Sequence, residues 1–125
     1  MRILLLVMPD TTDFFHYSAR LPNLGIASLA GNLPGHQVRV LDLLLWKPKI
    51  RQRLQKLLDD FQPEMVGLSA MTFQFYTLVR VARFIRDWNP GVRIAAGGYH
   101  VTVLGRETAD DQSDLPLDFI VRGEG

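Results

Sequence analysis

The chain contains no cysteine. Disulfides, thiolate metal sites and cysteine nucleophiles are therefore excluded from these 125 residues, while the redox compartment stays open. An excess of one charge sign is also missing. Fourteen Lys and Arg stand against 13 Asp and Glu, a formal net charge of +1. No field over the whole molecule marks it for nucleic acid. No run is long enough to span a bilayer. The N-terminal "ILLLVM" stops at Met8, before Pro9 and Asp10, and lacks the small-residue cleavage site of a signal peptide. It reads as a buried strand, and the protein as cytoplasmic. Internal repeats and low-complexity segments are absent too. What is present is the balance of a globular domain, 47% hydrophobic and 22% charged. The length suits one domain with a real core.

The periodicities alternate. "ILLLVM" has the continuous apolar character of a strand covered on both faces. "PNLGIASLAGNL" (22–33) predicts a helix with Pro22 near its start and many small residues. "QVRVLDL" (37–43) predicts a second strand. Residues 49–60 carry Ile50, Leu54, Leu57 and Leu58 on one helical stripe. "EMVGLS" (64–69) predicts a third strand. Residues 73–88 place Phe75, Leu78, Val79, Ala82 and Ile85 on one helical face. "VRIAA" and "LDFIV" (117–121) complete five strands, with a short helix expected over 100–109. Strand–helix alternation implies right-handed crossovers and a parallel sheet with helices on both faces. The expected fold is an α/β, Rossmann-like (flavodoxin-like) doubly wound sheet of order 2-1-3-4-5. Its ligand crevice should lie at the carboxyl ends of strands 1, 3 and 4. The chain ends at "VRGEG", without the helix that normally covers strand 5, and is read as one domain cut from a longer protein.

Function must sit in the loops after those strands. They read "MPDTTDFFHYSARLPNLG", "SAMTFQ", "GGYHVT" and "RGEG". The first has no glycine before Gly25, which excludes the Gly-x-Gly-x-x-Gly dinucleotide fingerprint and a P-loop. A phospho-acceptor receiver would need an aspartate ending strand 3 and a lysine ending strand 5, where Ser69 and Arg122 stand. A flavodoxin phosphate loop is opposed by Asp10 and Asp13 flanking Thr11 and Thr12. What remains is a ligand along strands 3 and 4 that needs close backbone approach at Gly97 and Gly98.

These residues carry a resemblance. "LPNLGIASLAG", "VGLSAMT", "AAGGYHVT" and "DFIVRGEG" are similar, in order and over most of the chain, to the cobalamin-binding domain that precedes the barrel of many radical S-adenosylmethionine enzymes. That family has Ser-x-Leu after strand 3 and Gly-Gly after strand 4. Here Ser69 and Gly97 lie 28 positions apart (97 − 69), with Met71 at the Leu position. The resemblance implies base-off cobalamin, with the nucleotide tail inserted among the strand ends and the corrin on the loops after strands 1, 3 and 4. Glycines make room for the flat benzimidazole, and the Ser69 hydroxyl can bond its buried nitrogen. The implied cofactor-binding residues are Asp10, Thr11 and Thr12 after strand 1, and Leu24 and Gly25 on helix 1. Ser69, Ala70, Met71 and Thr72 follow strand 3, and Gly97, Gly98, Tyr99 and His100 follow strand 4. Gly123 and Glu124 close the set.

The sequence departs from the mutase and methionine synthase branch, whose Asp-x-His-x-x-Gly supplies a cobalt-ligating histidine. "DFFH" offers Asp13 and His16 without the glycine, so no protein histidine is expected on cobalt and no catalytic residue is assigned. The resemblance further implies, in the full protein, a C-terminal radical S-adenosylmethionine domain in cis, with a [4Fe–4S] cluster on three cysteines and S-adenosylmethionine. Methyl transfer or tetrapyrrole-type chemistry would follow. Without cysteine, this stretch should bind and not catalyse. Two other readings stay open: a cofactor-free interaction domain, in which Gly97-Gly98 is only a turn, and a receiver-like signalling domain with Asp10 as acceptor. The basic "KPKIRQRLQK", with Lys47, Lys49, Arg51, Arg53 and Lys56, reads as a solvated face.

Overall fold

The computed structural model describes residues 1–9, 23–46, 49–71, 74–98 and 115–123. Five parallel strands form one sheet: β1 (Arg2–Val7), β2 (Gln37–Asp42), β3 (Met65–Ser69), β4 (Arg93–Gly97) and β5 (Phe119–Ile120). Their spatial order is β2-β1-β3-β4-β5, as the alternation predicts. Among the described residues, three helices connect the first four strands: α1 (Leu24–Gly31), α2 (Ile50–Phe61) and α3 (Phe75–Trp88). A 3-10 turn at Leu43–Trp46 precedes α2. The helix expected over 100–109 lies outside the described residues.

The sheet separates two apolar layers of unequal size. Consecutive residues of a strand face opposite sides. Thus Leu4 and Leu6 enter the large layer beneath α2 and α3, with Val66, Leu68, Ile94 and Ala96. Ile3 and Leu5 enter the small layer beneath α1, where Ile26 is their one fully buried helical partner. This double duty explains why "ILLLVM" lacks alternation. α1 is capped by Asn23, whose Oδ1 accepts from Ile26 N at 3.0 Å.

On α3 the buried residues are Leu78, Val81, Ala82 and Ile85. Val79, expected on that face, is only half-buried, and Phe75 likewise. The i, i+3, i+4, i+7 set starting from Leu78 selects Val81, and tertiary contact decided between two neighbouring stripes. α2 buries Leu54, Leu58 and Phe61, while Ile50 and Leu57 pack at the margin. Its basic face is partly used. The Arg51 guanidinium lies 5.6 Å from the Phe84 ring centroid, and Arg39 of β2 lies 4.6 Å from that of Phe61. Among the described residues, no helix is long and apolar enough to cross a membrane.

An ion-pair network closes the β4–β5 side. Arg86 donates to the carbonyls of Pro90 (2.8 Å) and Val92 (2.7 Å) and to Asp118 Oδ2 (2.7 Å). The same Asp118 oxygen accepts from Ile94 N at 2.7 Å. The Ile94 N–H first, then Arg86, holds the Asp118 carboxyl below its ordinary pKa. Glu64 is held down chiefly by the Arg2 N–H, and Asp59 by Gln55 and then Trp88. A carboxylate with a depressed folded pKa adds stability that is complete above the unfolded pKa, about 4 to 4.5 for these groups. That stability is lost as pH falls through the folded value. The fold should therefore weaken below about pH 4, and Asp118→Asn, which keeps an acceptor for Ile94 N–H, should flatten the decline. Denaturant midpoints near pH 6 and near pH 3 check this (the two media bracket the window). An undiminished decline in the variant would remove Asp118 as a cause.

Candidate functional site

The α1 face of the sheet carries a row of very small residues. Register places Leu5 beside Gly67, Gly67 beside Ala95, and Ala95 beside Phe119. One pleat towards the carboxyl ends, Val7 pairs with Ser69 and Ser69 with Gly97. Gly67, Ala95 and Gly97 thus point almost nothing outward over the middle of the sheet, and α1 covers only its β1 side. The result is a groove of about 480 Å³ between α1 and the β3–β4 floor. Leu5, Ile26 and Leu29 form its helix-side wall, and Val121 its far wall. Among the described residues that line it, Ser69 alone has a polar side chain.

This geometry sorts the expected site residues. Gly25, Ser69, Gly97 and Gly98 line the one groove. Ser69 and Gly97 are direct neighbours across two strands. The Ala70 side chain is buried in the large layer on the opposite face, and only its backbone comes near the site: its N–H donates to Gly97 O at 3.2 Å. Leu24 (77% exposed) and Met71 (53% exposed) stand in solvent beside the groove without lining it. Gly123 has φ of 77° and open space where a Cβ would lie. Asp10, Thr11, Thr12, Thr72, Tyr99, His100 and Glu124 lie outside the described residues, as do Asp13 and His16.

The two adjacent glycines do different work. At Gly98, φ is +111° and an added Cβ would fall 2.3 Å from Ala70 O. The space that this residue vacates is taken by the protein's own backbone and not by a ligand. At Gly97 an added Cβ would meet Val121 Cβ at 3.6 Å, an ordinary contact, so the space there belongs to the groove. Gly67, which the sequence reading passed over, is the more telling position: its Cβ would lie 2.8 Å from Leu5 Cδ2. A glycine inside an otherwise regular strand was the signal for it. Gln74, also passed over, ties the ends of β1 and β3. Its Nε2 donates to Met8 O at 3.1 Å and to Pro9 O at 3.3 Å, and its Oε1 accepts from Met71 N at 2.9 Å. Among the described residues, no group of three or more His, Cys, Asp or Glu is placed to hold a metal ion.

The 2-1-3-4-5 order recurs in α/β proteins of different function, so the fold alone does not name the ligand. The family model described as "B12 binding domain" matches residues 14–125. The chain belongs to that family. The cofactor of this B12-binding domain is cobalamin, and the groove is compatible with one part of it: the apolar lining and the small floor residues Gly67 and Gly97 suit a flat apolar ring such as the cofactor's benzimidazole. An uncharacterized methyltransferase of Pyrococcus horikoshii is 32% identical over 126 residues, covering 98% of this chain and 27% of that protein. The B12-binding domain also superposes on TsrM, a radical S-adenosylmethionine methyltransferase of Kitasatospora setae. The structure with tryptophan and a S-adenosylmethionine analogue gives a TM-score of 0.65 at 18% identity, over 84% of this chain and 21% of that one. The structure with cobalamin and a [4Fe–4S] cluster gives 0.65 at 17% identity, over 83% and 21%. At such identities the likeness concerns the fold. The chain spans about a quarter of the length of these relatives.

Proposed function

We propose that the domain binds cobalamin base-off, with the nucleotide tail in the groove between α1 and the β3–β4 floor and the corrin over the loops after β1, β3 and β4. The observation that carries this is the floor itself. Gly67, Ala95 and Gly97 vacate one continuous strip, and its volume lies within the range of about 300–1,000 Å³ typical of small-molecule sites. Insertion would bury the apolar ring against Leu5, Ile26 and Leu29. The Ser69 hydroxyl, half-buried at the mouth, is the group able to donate to a ring nitrogen that would otherwise lose its hydrogen bond to water. Bound cobalamin supplies a cobalt centre suited to methyl-group transfer, and no side chain of the described residues is assigned a catalytic step.

The wider protein, on this reading, is a cobalamin-dependent radical S-adenosylmethionine enzyme with a [4Fe–4S] domain in cis, acting in methyl transfer or tetrapyrrole-type chemistry. Support comes from the methyltransferase relative and from TsrM, both several times longer than this chain. The domain's role would be to hold the cofactor and present its exposed face to that partner domain.

Titration with hydroxocobalamin tests the reading. The visible spectrum should shift to the base-off form with saturable binding. A folded protein that leaves the spectrum unchanged at high cobalamin concentration would point instead to a cofactor-free interaction domain.

A further inference from the structure

Gln74 stands at the N-cap of α3 and makes no side-chain cap hydrogen bond there. A glutamine at that position would ordinarily leave its amide in water. Here the amide turns back along the chain. Its Nε2 meets two carbonyls at the exit of β1, Met8 and Pro9, 66 and 65 positions away. Its Oε1 takes the Met71 N–H at the exit of β3, and the Gln74 N–H returns a bond to Met71 O at 2.9 Å. The amide orientation is settled by its partners, since two carbonyls require the NH2 end and an N–H requires the oxygen. Met8 N in turn donates to Ser69 O at 3.2 Å. One side chain therefore sets the separation of the two strand exits beside the groove mouth. It also holds the backbone of exposed Met71 without the help of a glycine.

We propose that Gln74 is a positioning residue for the cofactor: it acts through the β1 and β3 exits to preform the rim on which the corrin rests, and not through the tail groove. This rests on the cobalamin reading above. Gln74 does not line the groove, so its effect should be separable from that of the floor glycines.

Cobinamide, which has the corrin but no nucleotide tail, makes the separation. In the intact chain, Gln74→Met keeps the side-chain length and removes all three amide hydrogen bonds, while Gln74→Glu keeps only the acceptor for Met71 N–H. Binding of hydroxocobalamin and of cobinamide is measured by equilibrium dialysis, with melting temperature and amide exchange at Met71 alongside. Gln74→Met should weaken both ligands by the same factor, about tenfold or more, the scale on which supporting hydrogen bonds act on a bound group. Gln74→Glu should fall between it and wild type. The Met71 N–H should be protected in the ligand-free wild type and exchange freely in Gln74→Met. Unchanged affinity with a freed Met71 amide overturns the proposal. So does loss confined to cobalamin, a Met71 N–H already open in wild type, or variants that do not fold, which would make Gln74 merely structural. A wild type that binds neither ligand sinks the cobalamin reading itself and the inference with it.

Discussion

Gly98→Ala is expected to lower the stability of the fold by on the order of 3 kcal/mol, seen as a large drop in the denaturant midpoint. Two causes add. Alanine at φ of +111° occupies backbone space that L side chains rarely adopt. Its Cβ would also overlap Ala70 O, with Ala70 N at 3.1 Å and Ala70 C at 3.2 Å in tight contact. None of these is the end of a flexible side chain, so relief requires β3 and β4 to part just where Ala70 N bonds Gly97 O. Gly97→Ala provides the contrast. Its Cβ meets only Val121 at ordinary distance, and the melt should be close to that of wild type. Equal midpoints for the two variants would refute the division of labour between these glycines.

Gly67→Val should have the largest effect on ligand binding. Three carbons would stand on the groove floor beside Leu5, whose Cδ2 already lies 2.8 Å from the first of them. That atom is the end of a flexible side chain that lines the groove, so Leu5 can yield only into the slot that the nucleotide tail needs. Cobalamin affinity should fall at least about a hundredfold, or about 2.8 kcal/mol at 1.4 kcal/mol per tenfold. Cobinamide, having no tail, should bind nearly as it does to wild type. Stability should change by a smaller amount, because valine favours strands and offsets part of the overpacking cost. Parallel titrations of the two ligands decide it: a common loss would mean that the floor does not hold the tail.

The strand order and the faces of the sheet were legible because burial leaves a period in the sequence. β1 announced itself by lacking alternation, and the two layers it serves explain that. That Ser69 and Gly97 lie near each other follows from their places at the ends of strands 3 and 4, which are neighbours in this topology, whereas their direct register pairing is seen only in the structure. Gly67 was overlooked because "EMVGLS" scans as a regular strand, and what makes its missing side chain matter is Leu5, 62 positions away (67 − 5). The reason for Gly98 is equally tertiary: it yields to Ala70 and not to a ligand. Gln74 offered no periodic or spacing cue, because its partners are carbonyls at the end of another strand. Such contacts depend on three-dimensional return of the chain, which local pattern does not encode.

The inequality of the two layers has a thermodynamic consequence. Beneath α2 and α3 the strands meet a broad apolar mass, while beneath α1 the fully buried members among the described residues are Ile3, Leu5 and Ile26. Local opening free energies track buried apolar contact. Detaching α1 therefore sacrifices far less than detaching either helix of the other side. The lopsided sandwich is also an access route: the half that comes apart at least cost is the half that covers the slot. Any guest lodged there adds the apolar contacts that α1 lacks, so occupancy would raise the local opening energy of that helix more than the global stability of the sheet.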